Sequence, residues 1–236
     1  MIIDHVYTGN WENAFRGLRH PLESYDRIDS EFGVLNVNMI EEDKKIINNN
    51  LTNECAEYIK LGENDLDLAQ RMIKAGTPND KFLRQIFVSV DITAPLYWWK
   101  EMDTYKVATT ANSTSTMHKL ATTPINTDCF EIDDYNRELP LIDDVYLGLR
   151  VDCFIDDLEQ LRQKYLETQD IRYWKELIRW LPEGWLQTRT WTANYAILRN
   201  IIHWRTNHKL TEWHQFVNWC KTLPYSEELL FFNNVN

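Results

Sequence analysis

An asparagine and an arginine interrupt an apolar stripe near the C-terminal end of the chain. The stretch from Leu181 to Trp213 repeats apolar residues at i, i+3, i+4 and i+7, the pattern of one core-facing helix. Two stripe positions, Asn194 and Arg205, are polar; on a continuous helix their eleven-residue separation places them on one side, about 16 Å apart. A buried guanidinium or amide needs a partner, so we expect both to meet a protein group, a subunit interface or a charged ligand.

Two interpretations of Arg205 remain open from the residues alone. Arg205 can belong to a structural arginine–carboxylate pair in a helical interface, because ion-pair networks also place charges in such positions. Alternatively it belongs to an anion site, because the planar guanidinium fork matches phosphate or carboxylate oxygens.

Residues 103–120 form a second unusual stretch. Small hydroxyl residues and Asn112 dominate it, with Lys106, His118 and Lys119 towards its ends. Serine and threonine compete for backbone hydrogen bonds, so the composition predicts a loop. The loop is either an ordinary polar surface segment or a wall of hydroxyls and cations around a phosphate or sugar.

Composition limits the classes of function. The 236 residues are 44% hydrophobic, enough for one domain spanning residues 1–236. A net charge of −11 and a pI near 5.0 argue against nonspecific nucleic-acid binding, although a small anionic ligand could still meet a local basic pocket. Neither zinc-type cysteine spacing nor an HExxH motif occurs, so we expect no metal site. Without a signal peptide or a long apolar run, we expect a cytoplasmic protein with reduced thiols and no membrane contact.

Periodicity and end signals predict the main elements. Polar composition predicts surface segments at 43–60 and 126–144. Helices are predicted from Asp65 to Ala75 with Gly76 as the stop, from Asp156 to Leu181, and after Thr211 as a cap. Alternation over residues 86–92 predicts a strand with one buried face.

In their order and spacing, these elements and several short motifs resemble the flavin-dependent thymidylate synthases. The resemblance spans about residues 65 to 220. Its pieces are the helix ending at Gly76, the strand Gln85 to Pro95, an aromatic helix start, the loop around Asn112, Leu181-Pro182, Thr188-Arg189, Trp191-Thr192 with Asn194, and Arg205.

The resemblance implies an α+β fold in which an antiparallel sheet packs with long helices. It also implies a homotetramer in which several subunits build each active site. The implied reaction converts dUMP to dTMP, with methylenetetrahydrofolate as the one-carbon donor and FAD passing on a reducing equivalent from NADPH.

The resemblance also assigns roles to residues. Arg205 matches the arginine that holds and polarises the pyrimidine of dUMP, and Arg189 matches an arginine that contacts the nucleotide. Asn194 and Asn200 match asparagines near the flavin.

The family signature RHRxxSxNxxSxR is only partly present. Asn112 and Ser115 match its asparagine and last serine, which implies substrate binding, and Thr110 replaces its first serine. The RHR triplet becomes Tyr105, Lys106 and Val107, and the final arginine becomes Met117. Lys106, His118 and Lys209 are candidates to replace part of the cationic clamp, although lysine offers a point charge rather than a fork. Such divergence is what we expect of a phage-encoded relative.

Three interpretations of function follow. The first is a working flavoenzyme of pyrimidine nucleotide metabolism, with Arg205 stabilising charge that develops on the base. The second is a nucleotide-binding or scaffolding homo-oligomer that keeps the fold and has lost catalysis. The third is a chance resemblance of a soluble α/β oligomer. Flavin binding separates the first two, because the enzyme must hold flavin and a nucleotide binder need not.

Overall fold

A computed structural model describes residues 1–36, 55–133, 135–142 and 145–234. The predicted surface segment 43–60 therefore lies partly outside the described residues, and the part from 55 onward is a strand. None of the described helices combines the length and the apolarity that a membrane span requires.

The described chain contains both strands and helices. The strands are β1 Ile2–Gly9, β2 Glu31–Asn36, β3 Cys55–Lys60, β4 Phe87–Pro95, β5 Thr110–Ser113, β6 Pro140–Ile142, β7 Val145–Tyr146 and β8 Leu186–Asn194. The α-helices are α1 Trp11–Arg19, α2 Glu63–Ala75, α3 Leu96–Met102, α4 Thr116–Lys119, α5 Leu147–Thr168, α6 Ile171–Arg179, α7 Tyr195–Arg205 and α8 Thr211–Cys220. Short 3₁₀ segments include Asn79–Gln85, and Ser226–Phe231 forms a π-helix.

A four-stranded sheet with the strand order β1-β4-β8-β5 carries the candidate site residues of β8. Hydroxyl pairs across β4 and β8 fix an antiparallel register: Ser89 lies 3.0 Å from Thr192, and Thr93 lies 2.7 Å from Thr188, between their side-chain oxygens. A separate antiparallel pair joins β2 and β3. These sheets and the 22-residue α5 confirm the predicted α+β class.

Two predicted elements are confirmed, with ends that differ by no more than three residues from the prediction. Helix α2 ends at Ala75 and is followed by Gly76 with a φ of 67°, a left-handed value that glycine adopts without strain. Strand β4 buries Val88, Val90 and Ile92 on one face, as the alternation predicts.

The residues fall into two compact units, which are described separately. The first comprises Met1–Ile2, Thr93–Thr104 and Asn112–Arg189; the second comprises Ile3–Ile92, Tyr105–Ala111 and Thr190–Asn236. The single domain expected over residues 1–236 remains a prediction.

Each unit has its own apolar core. The first unit packs α5 and α6 around the cluster Leu120, Ile125, Phe130, Ile155, Leu158, Leu177 and Trp185. In the second unit, Trp11 and Tyr195 are fully buried and meet edge to face at 5.1 Å between ring centroids. A buried ion pair, Arg19 Nη2 to Asp65 Oδ1 at 2.8 Å, ties α1 to α2 in the same unit.

Three predicted elements differ from the structure. The predicted long helix over 156–181 begins earlier, at Leu147, and is two helices, because Gln169 is left-handed with a φ of 54° and Asp170 then caps α6. Thr211 is the first residue of α8 rather than its cap. The predicted loop over 103–120 contains strand β5 and the short helix α4. Hydrogen bonds to neighbouring segments satisfy backbone groups there, which composition alone does not reveal. For example, the Thr114 amide donates to the Thr188 carbonyl at 2.9 Å.

Candidate functional site

Asn194 stands at the junction of β8 and α7, so the prediction of one continuous helix from Leu181 to Trp213 is wrong. Leu186–Asn194 is a strand because Thr188, Thr190 and Thr192 are β-branched and pack well on a pleated surface. Asn194 is the N-cap of α7: its side-chain oxygen accepts a hydrogen bond from the Ile197 amide at 3.1 Å. Asn194 is buried, as expected, but its partner is its own helix, and it shares no helical face with Arg205.

The first turns of α7 line a cleft of about 510 Å³ in the second unit, which we call the asparagine cleft. Both predicted flavin-side asparagines, Asn194 and Asn200, line it. The remaining lining residues are Thr77, Asp80, Arg84, Val107, Ala108, Ala196, Ile197, Arg199, His203 and Asn234. The volume is that of a typical ligand pocket, and amides, an imidazole and guanidinium groups mix with short apolar side chains.

The two arginines of the asparagine cleft differ in their surroundings. Arg199 is partly buried, and its Nη1 donates to the carbonyls of Leu229, Leu230 and Phe232 at 2.7 to 3.0 Å. Burial lowers the pKa of the Arg199 guanidinium from its usual value. Arg84 is exposed and belongs to the segment Asn79–Gln85. Arg199 therefore fastens the C-terminal segment, and Arg84 presents its charge where solvent and a ligand can reach it.

Arg205 ends α7 and lies on an aromatic shelf formed by Tyr105 and Trp213. Its guanidinium carbon is 4.7 Å from the Trp213 ring centroid, and its Nε donates to the Tyr105 hydroxyl at 3.0 Å. Arg205 is half-buried, whereas the other positions of the apolar stripe are buried: Trp191, Asn194, Tyr195, Leu198, Ile201 and Ile202. The two rings and the hydrogen bond to Tyr105 therefore orient the Arg205 guanidinium.

Lys106 and Lys209 are both exposed in the second unit. Lys106 directly follows Tyr105 of the aromatic shelf, and Lys209 lies in the turn between α7 and α8. Neither lines the asparagine cleft. Their roles as replacements for the cationic clamp remain predictions.

Arg189 lies in the first unit and contacts three residues there. Its Nη1 pairs with Asp103 Oδ1 at 2.9 Å, its Nε donates to Gln187 Oε1 at 3.0 Å, and its guanidinium carbon lies 4.3 Å from the Trp99 ring centroid. The Arg189 side chain is 16% exposed. These three contacts orient the Arg189 guanidinium, and the Asp103 carboxylate would compete with an anionic ligand for it.

Asn112 and Ser115 lie in the same unit as Arg189. Asn112 is exposed on β5, and Ser115 is the N-cap of α4, accepting from the His118 amide at 3.2 Å. Gln187 connects this segment to Arg189, because its Nε2 donates to the Thr114 carbonyl at 3.0 Å while its Oε1 accepts from Arg189.

Sequence reasoning missed the partners of each predicted residue. Tyr105, which contacts Arg205, is 100 residues away from it, and Asp103, which pairs with Arg189, is 86 residues away from it. Contacts between residues so distant leave no periodic signal in a single sequence. Arg199 escaped notice because it lies off the apolar stripe.

Comparison with known proteins shows which solved structures have a similar fold. No family model matches the chain, and no curated protein matches it. Among solved structures, the chain is similar to a flavin-dependent thymidylate synthase, ThyX, from Helicobacter pylori, complexed with FAD and dUMP, at 15% identity and a TM-score of 0.62 over 100% of both chains. A second structure of that enzyme with FAD and dUMP gives 14% identity and a TM-score of 0.59 over 99% of both chains.

A third similar structure is a UMP/dUMP methylase, PolB, from Streptomyces cacaoi, bound with 5-Br UMP. It gives 12% identity and a TM-score of 0.53, covering 87% of this chain and 96% of the other. At such identities the likeness concerns the fold. The predicted resemblance to the flavin-dependent thymidylate synthases is confirmed at that level.

Proposed function

We propose that this chain is an enzyme of pyrimidine nucleotide metabolism that converts dUMP to dTMP in the manner of the flavin-dependent thymidylate synthases. The observation that carries the proposal is the asparagine cleft: Asn194 and Asn200, which the sequence resemblance matched to flavin-side residues, line one cleft of about 510 Å³. Similar folds are known with FAD and dUMP bound.

The residues of the cleft fit part of a flavin nucleotide. A flavin ring presents carbonyl and nitrogen atoms that accept or donate hydrogen bonds, and Asn194, Asn200 and His203 supply amide and imidazole partners. Phosphate needs cations or amide N–H groups, and Arg84 and the N-terminal turn of α7 supply both. When bound, FAD supplies the reducing equivalent that it receives from NADPH, while methylenetetrahydrofolate provides the one-carbon unit.

The remaining predicted residues have proposed roles towards the substrate. Arg205 holds the pyrimidine and stabilises negative charge that develops on its carbonyl oxygen, and the Tyr105 and Trp213 shelf keeps its guanidinium oriented for that task. Arg189, Asn112 and Ser115 bind the nucleotide, and Lys106 and Lys209 add cationic charge towards the substrate and the cofactor respectively.

The first experiment is the visible absorption spectrum of freshly purified protein, before and after incubation with excess FAD and removal of unbound flavin. Retained flavin bands and reoxidation that depends on dUMP are the expected results. Asn200→Ala tests the cofactor site more directly than Asn194→Ala does, because Asn200 is exposed whereas Asn194 caps α7. We expect Asn200→Ala to weaken flavin binding roughly tenfold, about the loss of one hydrogen bond.

Asn218→Ala is the matched control, because Asn218 is an exposed helical asparagine outside the asparagine cleft. Equal flavin affinity in the two variants would remove Asn200 from the cofactor site. A protein that retains no flavin even with excess FAD would contradict the proposed reaction.

A second candidate function is a nucleotide-binding homo-oligomer without catalysis. The pairing of Arg189 with Asp103 and the replacement of the RHR triplet by Tyr105, Lys106 and Val107 favour it, because both reduce the positive charge available to phosphate. A colourless protein that still binds dUMP, measured by calorimetry, is the result that this candidate predicts.

Assembly and location complete the proposal. We propose a homotetramer that acts in the cytoplasm on small-molecule substrates, does not bind nucleic acid, and belongs to a phage-type branch of the fold. The acidic net charge of −11 supports the exclusion of nucleic acid.

A further inference from the structure

A second cleft in the second unit is walled by aromatic rings and shares no lining residue with the asparagine cleft. We call it the aromatic cleft. Its volume is about 380 Å³, and its lining residues are Tyr7, Gly9, Asn10, Trp11, Glu12, Asn13, Phe32, Gly33, Tyr58 and Phe87. The proposed nucleotide chemistry makes no use of it.

The aromatic walls come from four strands. Tyr7 of β1 and Phe87 of β4 lie on neighbouring strands and are 51% and 47% exposed, although aromatic side chains normally contribute to cores. Phe32 of β2 and Tyr58 of β3 are partly buried. These four rings line one cavity.

Two glycines shape the cleft. A Cβ atom on Gly9 would lie 2.5 Å from the Tyr7 hydroxyl oxygen, so glycine is required for the Tyr7 ring to lie against this backbone. Gly33 is the direct antiparallel partner of Tyr58, and a Cβ atom there would meet nothing within 4 Å. The place beside the Tyr58 ring is therefore open space in the cleft.

The side chains that line the aromatic cleft carry negative charge and no positive charge. Glu12, exposed in the first turn of α1, is the charged residue among the lining residues, and the carboxamides of Asn10 and Asn13 are neutral. Aromatic faces attract cations through the ring quadrupole, and a carboxylate adds a full negative charge. The net charge of −11 strengthens the same preference.

We propose that the aromatic cleft binds a small organic cation of the quaternary or alkylated ammonium class. Its apolar substituents contact the rings of Tyr7, Phe32, Tyr58 and Phe87, and its charge faces Glu12. Aromatic cages that recognise alkylated ammonium groups use this combination of ring faces and an acidic group. No cationic side chain lines the cleft, and the Glu12 carboxylate in the first turn of α1 opposes an anion that the N–H groups of that turn would otherwise attract.

The test compares two probes of the same shape, choline and its neutral isostere 3,3-dimethylbutan-1-ol, by calorimetry and saturation-transfer NMR on the full chain. We expect choline to bind at least about tenfold more tightly than the neutral isostere, because the alcohol keeps the apolar contacts and loses the cation–π attraction. Equal binding of both probes, or binding of neither, would overturn the proposal.

Two variants locate the site. Gly33→Leu places a side chain in the open space beside Tyr58 and should abolish choline binding while the thermal unfolding midpoint stays close to that of the parent protein. Gly184→Leu is the matched control, because a Cβ atom at Gly184 meets only a carbonyl oxygen at 4.0 Å and Gly184 lies outside the cleft. Glu12→Gln should weaken choline binding without changing the binding of the neutral alcohol.

The alternative occupant of the aromatic cleft is a second copy of the chain, and a change in oligomeric state would reveal it. If Gly33→Leu lowers the mass measured by light scattering and choline does not bind, the aromatic cleft is a subunit contact and the proposal fails. Choline binding by the parent protein and by Gly184→Leu, its loss in Gly33→Leu, and an unchanged mass in both glycine variants together support the cation site.

Discussion

At the scale of single residues, the structure separates side chains that are fully committed to the fold from side chains that remain available for chemistry. Asn194 caps α7 and Ser115 caps α4. Arg189 is engaged by Asp103 and Gln187. The Arg205 guanidinium is oriented by the rings of Tyr105 and Trp213 and by a hydrogen bond to the Tyr105 hydroxyl, and it stays half-exposed.

The first prediction concerns Arg205. Arg205→Ala should weaken dUMP binding by about 1.5 to 3 kcal/mol, the range for a hydrogen bond to a charged group. Calorimetric titration with dUMP measures it. Tyr105→Phe keeps the ring and removes the hydroxyl that accepts from Arg205, so it should cause a smaller loss. If dUMP affinity is unchanged in Arg205→Ala while the free energy of unfolding falls, Arg205 has a purely structural role.

At the scale of elements, ion pairs and caps connect segments that the hydrophobic pattern leaves independent. In the first unit, Glu159 of α5 accepts from the Ile125 amide at 2.8 Å, and Arg162 donates to the Ala121 carbonyl at 3.0 Å. Glu159 and Arg162 also form an ion pair, whose Arg162 side chain is only 5% exposed. The pair therefore fastens residues 121–125 to α5.

This connection should make stability depend on pH. The hydrogen bond from Arg162 lowers the pKa of Glu159 from 4.5 to about 2, against the opposing effect of burial. The folded state favours the carboxylate, so the stabilisation is complete above pH 4.5 and is lost as the pH falls through about 2. We expect a contribution on the order of 2 to 3 kcal/mol near neutral pH.

Urea unfolding of the parent protein and of Glu159→Gln at several pH values measures this contribution. The difference in free energy of unfolding should be largest near pH 6 and should shrink between pH 4.5 and 2. Glu167→Gln is the control, because the Glu167 and Lys164 side chains are mostly exposed and such a pair contributes little. A difference that does not change with pH would show that Glu159 acts through packing alone.

At the scale of the whole molecule, the proposed shared active site requires several subunits. Exposed apolar side chains cluster at β6, β7 and the start of α5 in the first unit, where a monomer would leave them in water. They are Leu139, Leu141, Ile142, Tyr146 and Leu149. An apolar surface of this kind is typical of a subunit interface.

We therefore predict a particle of about four times the 28.2 kDa chain mass by light scattering. Salt should not dissociate it, because an apolar interface is not weakened by screening and the net charge of −11 per chain repels less at high ionic strength. A monomer in dilute solution would contradict both the assembly and the shared site.

The sequence alone determined the elements whose signals are local. Gly76 ends α2 because the left-handed conformation favours glycine, and β4 follows from strict alternation of buried residues. The order and spacing of short motifs around Asn194 and Arg205 were enough to predict the fold, and the similar solved structures confirm it.

Only the tertiary structure decided where the stripe from Leu181 to Trp213 changes from strand to helix. The buried residues Trp191 and Ala193 follow the period of two of a strand. The buried residues Tyr195, Leu198 and Ile202 follow the period of a helix. Because some apolar positions fit both periods, the sequence pattern does not mark the boundary between strand and helix. The partners of each site residue were decided in the same way. Asp103 beside Arg189 and Tyr105 beside Arg205 result from packing between distant segments, which local propensity and periodicity do not specify.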